Sequence, residues 1–365
     1  MKTYTNLYEQ IISEENIILA FQKARKGKSQ KYYVQEFSKN LIENLSVLRM
    51  ELLLFSYTPK KLETFIIRDP KTRKICKSDF RDRIVHHAIC NILEPIFDPR
   101  FIFDSYANRK GKGSLAALER LEIFKRKVSR NGKQKGWFTE NQVKGYCLKA
   151  DIKHYFEEVN HDILLKILQK RIRCNQTIAL IEKILSNYNE GSKGMPLGNL
   201  TSQFFANVYL NELDIYVKHT LKVKYYIRYV DDFVILHPSK RQLSIWKESI
   251  NNFLQKNLAI ELHQDKTRII SLTKPIPFVG FRVFYYYTLL KKQNRKNITR
   301  SIEKFHRLFI QQKIDYDKIY EKMQGSIAYM EHANSYNLRM KLVISFSKKF
   351  PREISYIEVN RYLRL

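Results

Sequence analysis

Asp231 and Asp232 are adjacent carboxylates that lie between two apolar, aromatic and β-branched runs, residues 225–230 and 233–236. Two such runs around a short break predict a β-hairpin. Two aspartates do not match the Asn-Gly or Asp-Gly preference of a tight hairpin turn. Neighbouring like charges repel, and a divalent cation shared with a polyphosphate is the usual compensation. The pair therefore indicates metal-dependent phosphate chemistry at the hairpin tip.

A solvated surface turn is the simpler interpretation of these two aspartates. The flanking runs are too apolar for an exposed loop, because strand-like sequences of this kind are normally buried on at least one face. A third carboxylate has a matching setting, since Asp151 ends another short strand-like run, residues 146–150. The metal interpretation of Asp151, Asp231 and Asp232 is therefore favoured over the surface turn.

The segment Tyr229-Val230-Asp231-Asp232 resembles the corresponding segment of reverse transcriptases. Palm-type polymerases place one aspartate at the end of a strand and two at the tip of the neighbouring hairpin. The detailed resemblance is to the group II-like bacterial and archaeal group that contains the enzymes of diversity-generating retroelements. It implies an α+β, right-hand polymerase fold, with fingers, a palm whose antiparallel sheet carries the aspartates, and a helical thumb. It also implies that Asp151, Asp231 and Asp232 are catalytic and hold two Mg²⁺ ions, with Mn²⁺ as an acceptable substitute.

Residues 64–75 predict a strand, a turn and a second strand, with cations around the turn. In the resembling family this fingertip hairpin folds over the incoming triphosphate, which implies that Arg68 and Arg73 bind the nucleotide. A guanidinium suits that contact because its planar fork matches phosphate oxygens. The spacing is short by about one residue relative to the family, so Lys71 and Lys74 remain alternatives.

Five further residues receive roles from the same resemblance. Phe156, five residues after Asp151, is expected to lie under the nucleotide sugar and exclude a 2′-hydroxyl; core packing is a compatible alternative. Lys266 is expected near the leaving pyrophosphate. Tyr229, Arg109 and Gly280 are expected to contact primer and template, and a glycine permits close approach of a backbone.

The segment 194–203 is predicted to be a loop that feeds a helix from Phe204 to Lys218. Its end, Gly198 to Gln203, resembles the diversity-generating version of this block, whereas group II intron and retron enzymes usually carry Ser-Pro. Gln203 and Leu197 are expected to lie at the nucleotide. Retroviral enzymes have a hydrogen-bonding glutamine where this chain has Leu197, which implies relaxed fidelity.

The overall charge of the chain indicates an anionic partner. Lys and Arg number 66 and Asp and Glu 36, so the formal net charge is 66 − 36 = +30. Basic proteins gain affinity for nucleic acid by releasing the counterions condensed on phosphates. A basic surface kept only for solubility is a weaker explanation at this magnitude, and some of the 23 Tyr and 22 Phe could stack on bases.

Cysteine usage and the N-terminal sequence predict a reduced, cytoplasmic protein. The four cysteines are scattered and show no metal-ligand spacing. His86 and Cys90 could share a helix face as half a zinc site, but without a second pair packing is the better interpretation. There is no signal-peptide pattern, and no stretch is apolar enough to predict a membrane span.

Three regions are predicted: an N-terminal helical extension over residues 1–58, fingers and palm over 59–284, and a helical thumb over 285–365. A helix is expected to open after Asp79 and end near Pro95. A loop over 129–145 is expected to join fingers to palm. The region after residue 284 is too short for a thumb together with an RNase H domain.

Taken together, these features predict an RNA-directed DNA polymerase that makes cDNA by two-metal nucleotidyl transfer, most specifically the error-prone enzyme of a diversity-generating retroelement. Its expected partners are an RNA template, a DNA or RNA primer and dNTPs. A noncoding or template RNA and a small accessory protein or second subunit are also expected. One alternative is a defence-associated reverse transcriptase that copies a dedicated noncoding RNA. Another is a catalytically silent nucleic-acid-binding protein, which would gain nothing from crowded acids facing phosphate.

Overall fold

The computed structural model describes residues 2–68, 72–132, 143–188 and 191–363. Its helices are α1 (Leu7–Ile11), α2 (Glu14–Arg25), α3 (Tyr32–Lys39), α4 (Leu41–Leu53), α5 (Phe80–Phe97), α6 (Ser114–Val128), α7 (Tyr155–Glu158), α8 (His161–Gln169), α9 (Asn175–Ser186), α10 (Leu200–Ile215), α11 (Lys240–Leu258), α12 (Lys292–Ile310), α13 (Tyr316–Glu331), α14 (Tyr336–Lys349) and α15 (Tyr356–Leu363). Its strands are β1 (Glu63–Ile67), β2 (Arg73–Lys77), β3 (Tyr146–Asp151), β4 (Tyr225–Tyr229), β5 (Asp232–His237), β6 (Arg268–Ser271), β7 (Ile276–Phe278), β8 (Phe281–Val283) and β9 (Thr288–Leu290). The predicted turn at Lys71 and most of the predicted 129–145 loop lie outside the described residues.

The N-terminal segment is helical, as its apolar spacing predicted. In α4 the side chains of Leu45, Leu48 and Leu52 are buried at intervals of three and four residues. Helix α2 packs along α5, and the Asn16 side chain joins them by donating to the Ile11 and Ala88 carbonyls at 2.8 and 3.0 Å. The four N-terminal helices thus cover a core that α5 shares with the rest of its unit.

Helix α5 begins where it was expected and ends later. The Asp79 carboxylate accepts the Arg81 backbone N–H and caps the first turn. The helix continues through Pro95 to Phe97, because the Asp98 N–H still bonds to the Glu94 carbonyl. Proline removes one backbone donor, and the helix ends at Phe97, two residues beyond Pro95, near which its end was expected.

A four-stranded sheet carries the predicted hairpin, with strand order β4-β5-β3-β6. Strands β4 and β5 are separated only by Val230 and Asp231, and β3 ends on Asp151. The central residues of β3, β4 and β5 are buried. The apolar runs identified in the sequence are therefore core strands, and their polar ends reach the sheet edge.

Helix α10 starts at Leu200, four residues before the predicted start at Phe204, and its path continues from Ile215 into a π-helical turn, Tyr216–Thr220. The earlier start places Thr201 and Ser202 in the first turn, where both are buried. Hydroxyl and amide side chains are common both in loops and close to a helix N-terminus, so composition alone does not place the start of this helix.

The C-terminal region contains a small sheet and a helical bundle. Strands β7, β8 and β9 form an antiparallel sheet in that order. Helices α12, α13, α14 and α15 follow, with α12 packing on α13 and α14. The region predicted to be a helical thumb, residues 285–365, also contains β9 (Thr288–Leu290), which pairs with β8.

Two compact units divide the chain. One comprises residues 1–113, 150–235 and 244–268, and the other comprises residues 114–149, 236–243 and 269–365. Helices α1–α4 belong to the same unit as the three aspartates, whereas the division at residues 58 and 284 remains a prediction. Among the helices in the described ranges, none has the length and apolarity needed to cross a membrane.

Candidate active site

The turn between β4 and β5 has an unusual backbone. Val230 has φ +57°, a left-handed conformation that β-branched residues rarely adopt. Tyr229, Asp231 and Asp232 around it are half-buried. A conformation of this kind persists only where the surroundings enforce it, and it is often associated with functional sites.

The structure brings Asp151 and Asp231 to neighbouring backbone positions. The Ile152 N–H donates to the Asp231 carbonyl at 3.2 Å, and the His263 N–H donates to the Asp151 carbonyl at 2.8 Å. The end of β3 is therefore held against the turn on one side and against the segment before β6 on the other. This adjacency is the arrangement that the resemblance to palm-type polymerases implied for these aspartates.

Lys266 lies on the carboxylate of Asp151. Its ammonium nitrogen is 2.9 Å from Asp151 Oδ1, and the two side chains are 46 % and 21 % exposed. An ion pair exposed to this degree is weak and can exchange partners. Lys266 is thus held at the first of the three aspartates by a solvent-exposed ion pair, and its place near a pyrophosphate remains a prediction.

The donor set at this edge of the sheet suits a hard divalent cation. Carboxylate oxygens are the ligands that Mg²⁺ prefers, and the Lys266 ammonium already marks Asp151 as a cation-binding group. Within the residues that the structure describes, no three His, Cys, Asp or Glu side chains are grouped tightly enough to hold a metal as they stand. The three aspartates fit Mg²⁺ by chemistry and backbone placement, and binding requires their side chains to converge.

Sequence reasoning missed a buried ion pair directly behind the turn. Arg228 and Asp214 are both fully buried, and Arg228 Nε and Nη2 donate to the two Asp214 oxygens at 2.8 and 2.7 Å. Burial alone would lower the pKa of Arg228, but the Asp214 carboxylate outweighs it and the pKa is raised. The available signal was an arginine inside an otherwise apolar strand, since a buried charge requires a partner.

The loop before α10 connects Phe156 with the β1–β2 hairpin. The Met195 N–H donates to the Phe156 carbonyl at 2.6 Å, and the Cys76 N–H of β2 donates to the Leu197 carbonyl at 3.0 Å. Gly198 has φ +120°, and a Cβ there would lie 3.1 Å from Ile75. Phe156 and Leu197, both half-buried, are therefore parts of one connected segment, although their predicted contacts with a nucleotide remain predictions.

The remaining nucleotide-binding candidates are solvent-exposed. Arg68 follows the last residue of β1, and Arg73 pairs with Ile67 in the last pair of residues before the hairpin turn. Lys74, the alternative, is also exposed, whereas Lys71 lies outside the described residues. Gln203 is exposed in the first turn of α10. Exposed side chains of this kind can contact an anionic ligand, and the nucleotide contacts of Arg68, Arg73 and Gln203 remain predictions.

Arg109 is tied into the protein. Its guanidinium donates to the Asp98 carboxylate at 2.6 Å and to the carbonyls of Asp98, Ile102 and Ser105. The side chain is only 9 % exposed. These hydrogen bonds give Arg109 a structural role. The predicted contact of Arg109 with primer or template remains a prediction, and it would require some of these hydrogen bonds to break.

Gly280 lies in the other unit, with φ +91°. A Cβ at this position would lie 2.5 Å from the Tyr329 hydroxyl and 3.2 Å from Asn294 Nδ2. Its carbonyl accepts from both of these groups. The close approach that requires a glycine is therefore made by side chains of this chain, and the predicted primer contact of Gly280 remains a prediction.

Residues 59–283 match the family "Reverse transcriptase (RNA-dependent DNA polymerase)". The chain belongs to the reverse transcriptase family. This assignment implies RNA-directed DNA polymerase activity with an RNA template and nucleotide substrates. Reverse transcriptases generally use divalent metal ions, which agrees with the carboxylate donor set described above.

The relatives of this reverse transcriptase include a group II intron-encoded protein. It is 26 % identical to Protein YkfC of Escherichia coli (strain K12), over 70 % of this chain and 73 % of that protein. It is 22 % identical to the group II intron-encoded protein LtrA of Lactococcus lactis subsp. cremoris, over 77 % of this chain and only 57 % of LtrA. These relatives place the chain beside group II intron-type reverse transcriptases.

The fold also resembles a solved telomerase structure, that of Candida albicans telomerase in complex with a fragment of telomeric RNA. The TM-score is 0.50 at 13 % identity, covering 84 % of this chain and 57 % of the telomerase chain. At this identity the similarity concerns the fold alone. The mixed helix and sheet architecture is that of a reverse transcriptase-type polymerase.

Proposed function

We propose that this protein is an active RNA-directed DNA polymerase whose catalytic centre is formed by Asp151, Asp231 and Asp232. The observation that carries the proposal is the hydrogen bond from Ile152 to the Asp231 carbonyl. It places a strand-terminal aspartate beside an aspartate-bearing turn, with the ammonium of Lys266 on the Asp151 carboxylate. A catalytically silent nucleic-acid-binding protein has no use for three aspartates at one edge of a sheet, because carboxylates repel phosphate.

The three aspartates would hold two Mg²⁺ ions, which would supply activation of the primer 3′-hydroxyl and neutralisation of charge on the triphosphate. The protein's own side chains supply the rest. Lys266 can move from Asp151 to the departing pyrophosphate, since an exposed ion pair exchanges partners easily. Arg68 and Arg73 present planar guanidinium groups to the phosphate oxygens. Phe156 closes the space beside the sugar and so selects deoxynucleotides.

We further propose diversification as the biological role, with error-prone copying of a template RNA. The segment from Gly198 to Gln203 supports this proposal by its resemblance to diversity-generating enzymes, and Leu197 supports it by lacking a hydrogen-bonding group. The competing role is antiphage defence through a dedicated noncoding RNA. Sequencing the RNA that copurifies with the protein separates the two roles. A template repeat with a near-identical variable repeat in the same genome indicates diversification, whereas a single conserved noncoding RNA indicates defence.

Primer extension on an RNA template tests the polymerase proposal. The purified protein, with its copurified RNA, is assayed with Mg²⁺ and dNTPs, and Asp231→Asn is compared with wild type. Asp162→Asn is the matched control, because Asp162 is an exposed carboxylate in the first turn of α8. Asp231→Asn should lose extension and keep RNA affinity by fluorescence anisotropy, while Asp162→Asn keeps both. Extension by Asp231→Asn near the wild-type rate would refute the assignment of the metal site.

A further inference from the structure

The buried pair of Asp214 and Arg228 has no evident value for stability alone. Both side chains are fully buried, and transferring two charges out of water costs about as much as their attraction returns. Replacing such a pair with apolar side chains of similar volume is often neutral or stabilising. The pair must therefore have a role other than stabilising the fold, and its hydrogen bonds indicate that role.

The guanidinium of Arg228 is divided between two tasks. Nε and Nη2 bind the two oxygens of Asp214, which fixes the plane of the group. Nη1 points away from the pair and donates to the Val230 carbonyl and to Asn207 Oδ1, both at 3.1 Å. The planar guanidinium thus links Asp214, on α10, to the peptide that joins Val230 to Asp231.

The other groups around the pair are also held in place. The Tyr226 hydroxyl donates to Asp214 Oδ1 at 2.7 Å, and Asn207 donates to the Ala107 carbonyl at 2.8 Å. The backbone of Arg228 is bonded on both sides, its N–H to the Asp104 carbonyl and its carbonyl to the Tyr106 N–H, each at 3.0 Å. The arginine is therefore a rigid donor, and the Val230 carbonyl is its acceptor at the edge of the site.

That carbonyl belongs to the strained residue of the turn. Val230 has φ +57°, and a left-handed β-branched residue relaxes unless its peptide is held. Rotation of the Val230–Asp231 peptide would change the direction in which the Asp231 side chain projects from the backbone. A donor fixed on the Val230 carbonyl opposes this rotation.

We propose that Asp214 and Arg228 are a positioning pair that holds the Val230–Asp231 peptide in the orientation that presents the Asp231 carboxylate for metal binding. The inference rests on the proposed polymerase function for its effect on catalysis, but the effect on the turn is independent of that function. Neither residue touches the reacting groups. Both act through the backbone of the turn.

The test uses two variants that remove the donor to Val230 without leaving an unpaired buried charge. Asp214→Leu/Arg228→Met replaces both charges with apolar groups, which favours retention of the fold. Arg228→Lys keeps a cation for Asp214 but has a point charge instead of a planar fork, so it cannot serve Asp214 and Val230 together. Asp82→Asn is the control, since Asp82 is a buried carboxylate in the same unit with Tyr57 and Lys60 as partners.

Three measurements are compared on full-length protein: hydrogen exchange of peptides covering 226–235, Mn²⁺ binding by electron paramagnetic resonance, and the Mg²⁺ dependence of primer extension. Both donor-less variants should exchange faster at the turn and bind Mn²⁺ more weakly. They should need more Mg²⁺ for half-maximal rate, on the order of threefold to tenfold, as expected for one lost hydrogen bond. The KM for RNA should stay unchanged. Asp82→Asn should change thermal stability without shifting exchange at the turn or the metal dependence.

Wild-type exchange at the turn in a folded donor-less variant would overturn the proposal, and so would faster exchange with unchanged metal affinity. If the wild type itself neither binds Mn²⁺ nor extends primers, the proposed polymerase function fails. The exchange comparison then still decides whether the pair holds the turn. Failure of the positioning role and failure of the catalytic assignment are therefore separate results.

Discussion

Lys266 holds the carboxylate of Asp151, with 2.9 Å between its ammonium nitrogen and Oδ1. Asp151 is the strand-terminal member of the proposed metal-binding set, so the ammonium occupies a position that a Mg²⁺ ion must share or take over. Two positive charges a few ångströms apart repel even when partly screened by water. The proposed function therefore predicts that the pair sets the metal requirement of the free protein and supplies a cation for the substrate.

Replacing Lys266 with Met should separate these two effects. Removing the ammonium leaves Asp151 free, so the Mg²⁺ concentration for half-maximal primer extension should fall by roughly twofold to fivefold, a modest change because the pair is exposed. The maximal rate should fall as well, on the order of tenfold or more, because charge on the pyrophosphate is no longer neutralised. Initial rates across a Mg²⁺ titration measure both quantities. An unchanged maximal rate with an altered Mg²⁺ requirement would mean that Lys266 affects metal binding and not the pyrophosphate.

Phe156→Ala should relax the choice between deoxynucleotides and ribonucleotides. The half-buried ring is proposed to fill the space beside the sugar, and its removal leaves room for a 2′-hydroxyl. Relative kcat/KM for dNTP and rNTP should shift toward rNTP by about tenfold or more, equivalent to about 1.4 kcal/mol. Phe253→Ala is the control, since Phe253 is another half-buried ring, stacked on Tyr216 at 4.2 Å. Equal discrimination in both variants would leave Phe156 with a packing role only.

Leu197→Gln should make copying more accurate. Leucine offers no donor or acceptor, so a misaligned base pair forfeits no hydrogen bond at this position. A restored amide contributes about 0.5–1.5 kcal/mol, on the order of a few-fold to tenfold in discrimination. Error rates are read by sequencing cDNA made by wild type, Leu197→Gln and Leu200→Gln, a half-buried neighbour in the first turn of α10. Identical error rates in all three would remove Leu197 from any role in fidelity.

Acidification should destabilise the unit that contains α5. Burial, reinforced by His87 and Arg83, lowers the pKa of His86 to about 3, and burial with Lys28 and Lys23 lowers that of His87 to about 4. The unfolded chain takes up these protons near pH 6.5, so the stabilisation is complete above pH 6.5 and is lost as the pH falls toward 4 and 3. For His86 the slope is about 1.4 kcal/mol per pH unit. Urea unfolding between pH 7.5 and 5 should show a shallower dependence in His86→Gln than in wild type or in His219→Gln, which changes an exposed histidine.

The sequence by itself determined the features whose causes are local. Apolar runs that end in aspartate predicted β3 and the β4–β5 hairpin, because burial of alternating or continuous apolar side chains specifies strands over a few residues. The same local pattern placed Asp151, Asp231 and Asp232 at strand ends. The apolar spacing of α4 and the Asp79 cap of α5 were likewise readable, since a helix face and an N-cap are defined within one or two turns.

Tertiary structure alone decided the pairings between distant residues. Asp214 and Arg228 are 14 positions apart on different elements, and Arg109 finds its carboxylate on Asp98. Two further features also depended on tertiary structure. Helix α5 continues through Pro95, and Tyr329 fills the space beside Gly280. A charged side chain can be hydrated by water or can form an ion pair with any of many opposite charges. Which partner it takes, and whether it is free to meet a substrate, follows only from how the helices and strands pack.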